Sequence, residues 1–167
     1  LYVRQHVPFV MSEVKRDKEG RWLFIKGHLG TRRLMFAVVY APNEGQDRFL
    51  LGVLDALGEF AMGDIVLLGD YNSVWDPGVD RIGGASAGAF SKRLRSSFRN
   101  LGLHDVWREQ HGQTRGYTYF SHVHKTHSRI DMIFLSSPLL PLASDPEIGG
   151  NNLSDHAPMM VRLDLAG

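Results

Sequence analysis

The residues of this chain best suited to chemistry fall in three short stretches. Gly69, Asp70, Tyr71 and Asn72 end one apolar run, Asp131 lies inside another, and Ser154, Asp155 and His156 lead through Ala157 and Pro158 into a third. Together they bring three carboxylates, an amide and an imidazole to the ends of expected strands. Carboxylate oxygens suit a hard ion such as Mg²⁺, which keeps several waters and shares its shell with substrate phosphate. A histidine beside them can steady developing negative charge. Such a set can bind a hard metal ion and cleave a phosphodiester.

Asp70 and Asn72 lie two apart, so on an extended segment their side chains point the same way. The carboxylate can then orient or deprotonate a water while the amide donates to the same oxygen or to phosphate. The same spacing also makes an Asx-turn that merely closes a strand. Asp131 sits between Ile130 and Met132, and a carboxylate facing a core needs a partner. His156 is the natural candidate, because an Asp–His pair fixes the ring tautomer and presents an imidazolium to a non-bridging phosphate oxygen. Asp155 and His156 are adjacent, so they share one site only if the turn ending at Pro158 is irregular, with Ser154 as a hydrogen-bonding support. Ser154, Asp155 and His156 are not a nucleophilic triad, since consecutive residues cannot adopt that geometry and no Gly-x-Ser-x-Gly elbow is present. His122, His124 and His127 read as a solvated turn in preference to a metal site. Trp22, Trp75 and Trp107 read as core or loop anchors in preference to base-stacking platforms.

The elements that must position these groups follow from periodicity. Residues 9–13 and 21–27 flank the turn-like Asp17, Lys18, Glu19 and Gly20, which predicts a hairpin. Residues 33–40 form an apolar strand stopped by Ala41, Pro42 and Asn43. Residues 47–62 place Phe49, Leu50, Val53, Leu54 and Leu57 on one helical face, with Gly63 as a stop. Residues 65–68 then make a short strand that delivers Asp70 and Asn72, so a strand–helix–strand crossover is implied. Residues 75–89 read as a long surface loop beside a substrate, and 90–101 as a helix. Strands are expected at 117–121 and 129–135, joined by the turn 122–127, and a last one at 159–165.

A chain of 167 residues fits one domain, residues 1–167, and can bury a core without crosslinks. It has no cysteine, which removes thiol nucleophiles, zinc ribbons and disulfide scaffolds. Net charge is +1, but residues 1–33 are basic, with Arg4, Lys15, Arg16, Lys18, Arg21, Lys26, Arg32 and Arg33 against Glu13, Asp17 and Glu19. A second basic cluster, Lys92, Arg93, Arg95 and Arg99, falls in the expected helix; solvated faces are the plainer reading of both clusters, phosphate contacts the other. No apolar stretch approaches the roughly 20 residues of a membrane span and no signal core is visible, so a soluble intracellular protein, nuclear or cytoplasmic, is expected. The chain opens at Leu1 in a segment that already reads as ordered, which suggests a fragment.

The motifs, taken in order, carry a resemblance. They are Val39-Tyr40-Ala41-Pro42-Asn43, Leu68-Gly69-Asp70-Tyr71-Asn72, Asp80-Arg81, Asp105-Val106-Trp107-Arg108, Tyr117-Thr118-Tyr119-Phe120-Ser121, Ser128-Arg129-Ile130-Asp131 and Ser154-Asp155-His156-Ala157-Pro158. In this order the chain resembles the endonuclease/exonuclease/phosphatase superfamily, most closely the apurinic-like endonuclease domain of LINE-type retrotransposon polyproteins. The resemblance implies a four-layer α/β/β/α sandwich of two packed mixed sheets. Of that fold this chain would hold the C-terminal two thirds, without the first strands and their metal-binding Glu. It further implies that Tyr40 and Asn43 contact the scissile phosphate, that Asp70 and Asn72 activate and orient water, and that Asp131 pairs with His156. Asp155 would serve at the metal together with Asp70, and Thr118, Ser128 and Ser154 would approach the substrate.

The function expected on these grounds is a Mg²⁺-dependent DNA endonuclease, with Mn²⁺ as a substitute, that nicks one strand by water attack on phosphorus. DNA is the expected partner, and no membrane is involved. Two alternatives remain open at this stage: a non-catalytic remnant of the same domain, and a phosphomonoesterase of the same superfamily.

Overall fold

A computed structural model describes residues 1–84, 87–150 and 154–165. The opening hairpin pairs β1 (Phe9–Arg16) with β2 (Trp22–Leu29) in antiparallel register. Its turn closes where Gly20 adopts φ 74 and the Asp17 carboxylate accepts the Arg21 N–H at 3.1 Å. β3 (Arg32–Tyr40) returns antiparallel to β2, and α1 (Gln46–Phe60) carries the chain over to β4 (Asp64–Asp70), which runs parallel to β3. The expected crossover is therefore present. Gly63, at φ 84, turns the chain from α1 into β4 beside the Arg33 carbonyl, where a side chain would collide.

Residues 75–84 and 87–89, the described part of the expected surface loop, are more structured than expected. Trp75 packs edge-on against Phe90 and Phe98, at 5.5 Å and 5.7 Å between ring centroids, and so turns into the core. Around it lie the short strands β5 (Ser73–Val74), β6 (Arg81–Ile82) and β7 (Gly88–Ala89), with β5 and β7 paired in parallel. An indole offers more apolar area than the polar loop around it can expose without cost, and it pulls its neighbours inward. The helix α2 (Lys92–Asn100) follows, capped by Ser91 Oγ, which accepts the Leu94 N–H at 3.1 Å. Its buried face is Leu94 and Phe98, while Lys92, Arg93 and Arg99 face solvent, as a solvated basic face requires.

Downstream come β8 (Leu103–Asp105), α3 (Val106–His111), β9 (Tyr119–Ser121), β10 (Thr126–Ser128) and β11 (Asp131–Ser136). The expected turn 122–127 is shorter: residues 122–125 join β9 to β10, Thr126 and His127 already pair in β10, and Arg129 leaves the ladder between β10 and β11. A short 3-10 helix, Ser137–Leu142, leads to β12 (Ala143–Ile148) and finally β13 (Met159–Leu163). Among the described residues no helix is long and apolar enough to cross a membrane.

The strands β1-β2-β3-β4-β11-β8 form one sheet, β6-β10-β9 a second, and β12-β13 a third that lies over the first. Alternation along the central strands explains the layering. Met35, Ala37 and Val39 of β3, Ile65 and Leu67 of β4, and Met132 and Phe134 of β11 face α1 and α2. The intervening Leu34, Phe36, Val66, Leu68, Ile133 and Leu135 face Met159, Val161 and Leu163 of β13. The fold is thus a mixed α/β sandwich with helices outside and sheets packed face to face. Phe134, fully buried beside Phe98 and Tyr71, is the central residue of the helical side, and truncating such a ring to alanine costs about 3–5 kcal/mol.

Candidate active site

Counting by twos along the central strands fixes which face carries the polar groups. Tyr40 follows Leu34 and Phe36, Asp70 follows Val66 and Leu68, and Asp131 precedes Ile133 and Leu135, so all belong to the face covered by β12 and β13. Register then sets them side by side, because Tyr40 pairs with Asp70 across β3 and β4, and Asp70 pairs with Asp131 across β4 and β11. Gly69 makes the close approach of β3 and β4 workable: it sits at φ 148, and a Cβ there would collide with the Val39 carbonyl oxygen.

His156 reaches this row from the segment before β13. Its Nδ1 lies 2.8 Å from Asp131 Oδ2, the pairing expected from sequence, and the two side chains are 33% and 19% exposed. With Nδ1–H donated to Asp131, the remaining ring nitrogen has no protein partner among the described residues. The ring also packs on Tyr119 at 4.8 Å between centroids, where a single bridge joins the two backbones. The turn before it is irregular, as sharing a site demands: Ser154 Oγ accepts the His156 N–H at 3.1 Å and bonds Asp155 Oδ1 at 3.3 Å. Asp155 and His156 consequently line one cleft.

Asp70 and Asn72 adopt the Asx-turn. The Asn72 N–H donates to Asp70 Oδ1 at 2.9 Å, and Asn72 takes φ 46, so the two side chains do not project in parallel from an extended strand. The Asn72 amide donates one N–H to the Ala41 carbonyl at 2.7 Å and keeps Oδ1 and its second N–H. Burial pushes the Asp70 carboxyl above the usual carboxylate value; the Asn72 N–H opposes this, the Asp131 carboxylate adds to it, and His156 opposes it.

A cleft of about 350 Å³ collects Tyr40, Asn43, Asp70, Asn72, Asp155 and His156, so the residues expected to meet phosphate and water do share one space. Tyr40 is 55% exposed there, with the Arg21 guanidinium over its ring at 5.4 Å. A larger cavity of about 590 Å³ is lined by Asp70, Asp131 and His156 at one end and by apolar residues such as Leu68, Ile133 and Met159 at the other. Its apolar walls suit it less to a phosphate than the polar cleft.

Thr118 and Ser128 lie elsewhere. Both are 1% exposed, so neither hydroxyl can approach a substrate as expected. Thr118 Oγ1 instead accepts the N–H groups of Ile130 and Asp131, at 3.1 Å and 3.0 Å. Ser128 Oγ has no hydrogen-bond partner among the described residues. His124 lines the cleft, whereas His122 and His127 pack against Phe120, so the three do not gather as a metal site among the described residues.

Two further features have no clear sequence signal. Gln46, at the first position of α1, donates to the carbonyls of Asn43 and Asn72 at 2.6 Å and 3.1 Å and ties the cleft walls together. Arg129 is fully buried, with Nε on Asp80 at 2.8 Å and Nη2 on Asp105 at 2.6 Å, while Arg108 also bonds Asp80. Burial disfavours its cation, but the Asp105 and Asp80 carboxylates outweigh that and hold the guanidinium above its ordinary value. The Arg129 N–H donates to the Asp80 carbonyl at 2.8 Å, which anchors the chain just before Asp131.

Asp70, Asp131 and His156 each offer a ligand atom within 4.8 Å of the others. Mg²⁺ needs only one or two protein carboxylates and fills its shell with water and phosphate, so Asp70 and Asp131 fit it. Asp155 lies on the same cleft without joining this close set.

Packed sheets with a carboxylate–imidazole row at the strand ends define a hydrolase fold of the endonuclease and phosphatase type. Residues 2–156 match the Endonuclease/Exonuclease/phosphatase family, and the chain belongs to it. A curated relative, the transposon TX1 uncharacterized 149 kDa protein of Xenopus laevis, is 32% identical over 152 residues, 88% of this chain but 12% of that protein. An AP endonuclease from Archaeoglobus fulgidus shares the fold with a TM-score of 0.73 over 94% of this chain and 72% of its own, at 19% identity. The endonuclease domain of TRAS1, a telomere-specific non-LTR retrotransposon, does so with a TM-score of 0.67 over 93% and 70%, at 16% identity. A 3′ phosphatase, NExo from Neisseria, bound to product DNA hairpin, gives a TM-score of 0.67 over 93% and 72%, at 23% identity.

Proposed function

We propose that this chain is a Mg²⁺-dependent phosphodiesterase domain of retrotransposon type that nicks one strand of DNA, with Mn²⁺ as a substitute. The observation that carries the reading is the convergence of Asp70, Asp131 and His156 within 4.8 Å, with Asp70 and His156 also lining the polar cleft. The transposon relative and the retrotransposon endonuclease fold support the choice of DNA.

The ion, when bound, supplies a positive charge that offsets the charge developing on phosphate. Asp70 and Asp131 would hold it. Asp131 keeps the His156 ring in one tautomer through the 2.8 Å hydrogen bond, and Tyr119 limits its rotation. The other ring nitrogen, in the protonated form, donates to a non-bridging oxygen. Asp70, on the polar cleft beside Asn72, orients the attacking water. Asn72 offers its remaining N–H or Oδ1 to that water, while Tyr40, Asn43 and Asp155 border the phosphate's path.

A supercoiled plasmid incubated with the protein and Mg²⁺ tests this. Nicking that disappears in EDTA and in His156→Ala is expected. Equal nicking by His156→Ala, or none by the wild type, sinks the proposal. A 3′-phosphorylated oligonucleotide in parallel separates phosphodiester cleavage from the phosphomonoesterase alternative.

A further inference from the structure

We propose that Thr118 is the positioning residue of the Asp131–His156 pair, setting its separation from behind without touching substrate. The proposal rests on reading that pair as the unit that acts on phosphate. The two residues are 25 apart in sequence, and β11 and β13 belong to different sheets, so no shared ladder fixes the distance between them. Thr118 spans the gap. On one side its Oγ1 accepts the Ile130 and Asp131 N–H groups at 3.1 Å and 3.0 Å, and its own N–H donates to Ser128 at 3.0 Å. On the other side its carbonyl accepts the Ala157 N–H at 2.6 Å, immediately after His156. The next residues continue the seam, with the Phe120 N–H on the Asp155 carbonyl at 3.2 Å and Tyr119 bridged to His156.

The chemistry of the side chain explains why this position needs a hydroxyl. One oxygen with two lone pairs can accept two backbone donors at once, which valine of the same shape cannot. Losing it leaves the Ile130 and Asp131 N–H groups unpaired in a site that is 1% exposed, and the strand must shift to find water. The Arg129 ion cluster holds the preceding residue in place, so the shift falls on Ile130 and Asp131.

The decisive measurement follows the imidazole proton between His156 Nδ1 and Asp131 in the 15N-histidine-labelled chain, identified by its loss in His156→Gln. Thr118→Val is expected to remove or displace that signal with the remaining amide spectrum in place, and Thr118→Ser to retain it. An unchanged signal in Thr118→Val, or no signal in the wild type, overturns the proposal. If Thr118→Val does not fold, Thr118→Cys, whose thiol is a weaker acceptor, is expected to displace the signal partway, and an unmoved signal overturns the proposal equally.

The nicking assay adds an independent reading. Thr118→Val should lower kcat by about 10²-fold, the cost of a misplaced catalytic group, with KM changed less than about twofold and activity returning in Thr118→Ser. A rise in KM at constant kcat would make Thr118 a substrate contact and overturn the proposal. A wild-type chain that shows the imidazole signal yet never nicks refutes the phosphodiesterase reading alone, because the proton signal still decides the role of Thr118.

Discussion

Arg129 and Asp131 stand two residues apart and each joins an acid–base pair, yet the pairs differ in everything that separates scaffold from chemistry. Arg129 is sealed among Asp80 and Asp105, its charge matched by carboxylates from two distant segments. Asp131 and His156 are 19% and 33% exposed and line a cavity together, with a ring nitrogen unspent. A buried charge persists when carboxylates neutralise it, and sealing keeps it from a substrate: even Arg129 Nη1, which has no hydrogen-bond partner among the described residues, is closed off from solvent. A half-open pair holds its geometry and still has a donor to give. The boundary between the two regimes is Ile130, whose N–H is held by Thr118.

The largest expected effect comes from breaking the sealed pair. Arg129→Met leaves Asp80 and Asp105 buried without their cation and should cost about 3–5 kcal/mol in denaturant unfolding. If stability is unchanged, the cluster is not the anchor described here. Opening the other pair should do the reverse: His156→Ala is expected to lose about 10²–10⁴-fold in nicking rate. Its stability should fall by no more than about 1 kcal/mol, as for an exposed pair. A comparable loss of stability would erase the distinction between the two regions.

Metal sharpens the contrast further. Mg²⁺ at about 100 times its Kd should raise stability by about 2.7 kcal/mol, and EDTA should remove the gain along with nicking. Asp70→Asn should blunt that gain, whereas a substitution on the exposed face of α2, such as Arg93→Gln, should leave it intact. The smallest effect concerns Asp70 itself. Its folded carboxyl lies above the ordinary value of 3.8, so its contribution to stability is full below that value and is lost as pH rises through the folded value. Without metal, Asp70→Asn should therefore melt slightly higher than wild type at neutral pH and show no such advantage at strongly acid pH. An advantage that grows on acidification would contradict the burial of this carboxyl.

Much of this arrangement was legible in the amino-acid order, and the reasons are local. β3 and β4 are apolar runs that end in Tyr40 and Asp70, β11 is one that begins at Asp131, and α1 shows its apolar face at helical spacing. The pairing of Asp131 with His156 followed from the need of a strand carboxylate for a partner. β8 and α3 were not legible because three and six residues are too short to show a period. β12 hid behind Pro146 and a polar sequence; it pairs only with β13 and bulges where Asp145 takes φ 49. Thr118 was misleading and Arg129 silent for another reason. Nothing near Arg129 in sequence says that Asp80 and Asp105, 49 and 24 residues away, will enclose it. Thr118 looks like a surface hydroxyl until the N–H groups of Ile130 and Asp131 are found on it.

The glycine at position 69 has a consequence for heredity. Any change in the first or second base of a glycine codon specifies a residue with a Cβ or a stop, and at this position a Cβ meets the Val39 carbonyl. Copies of this gene that drift without selection should therefore lose the site at this codon as readily as at the aspartates.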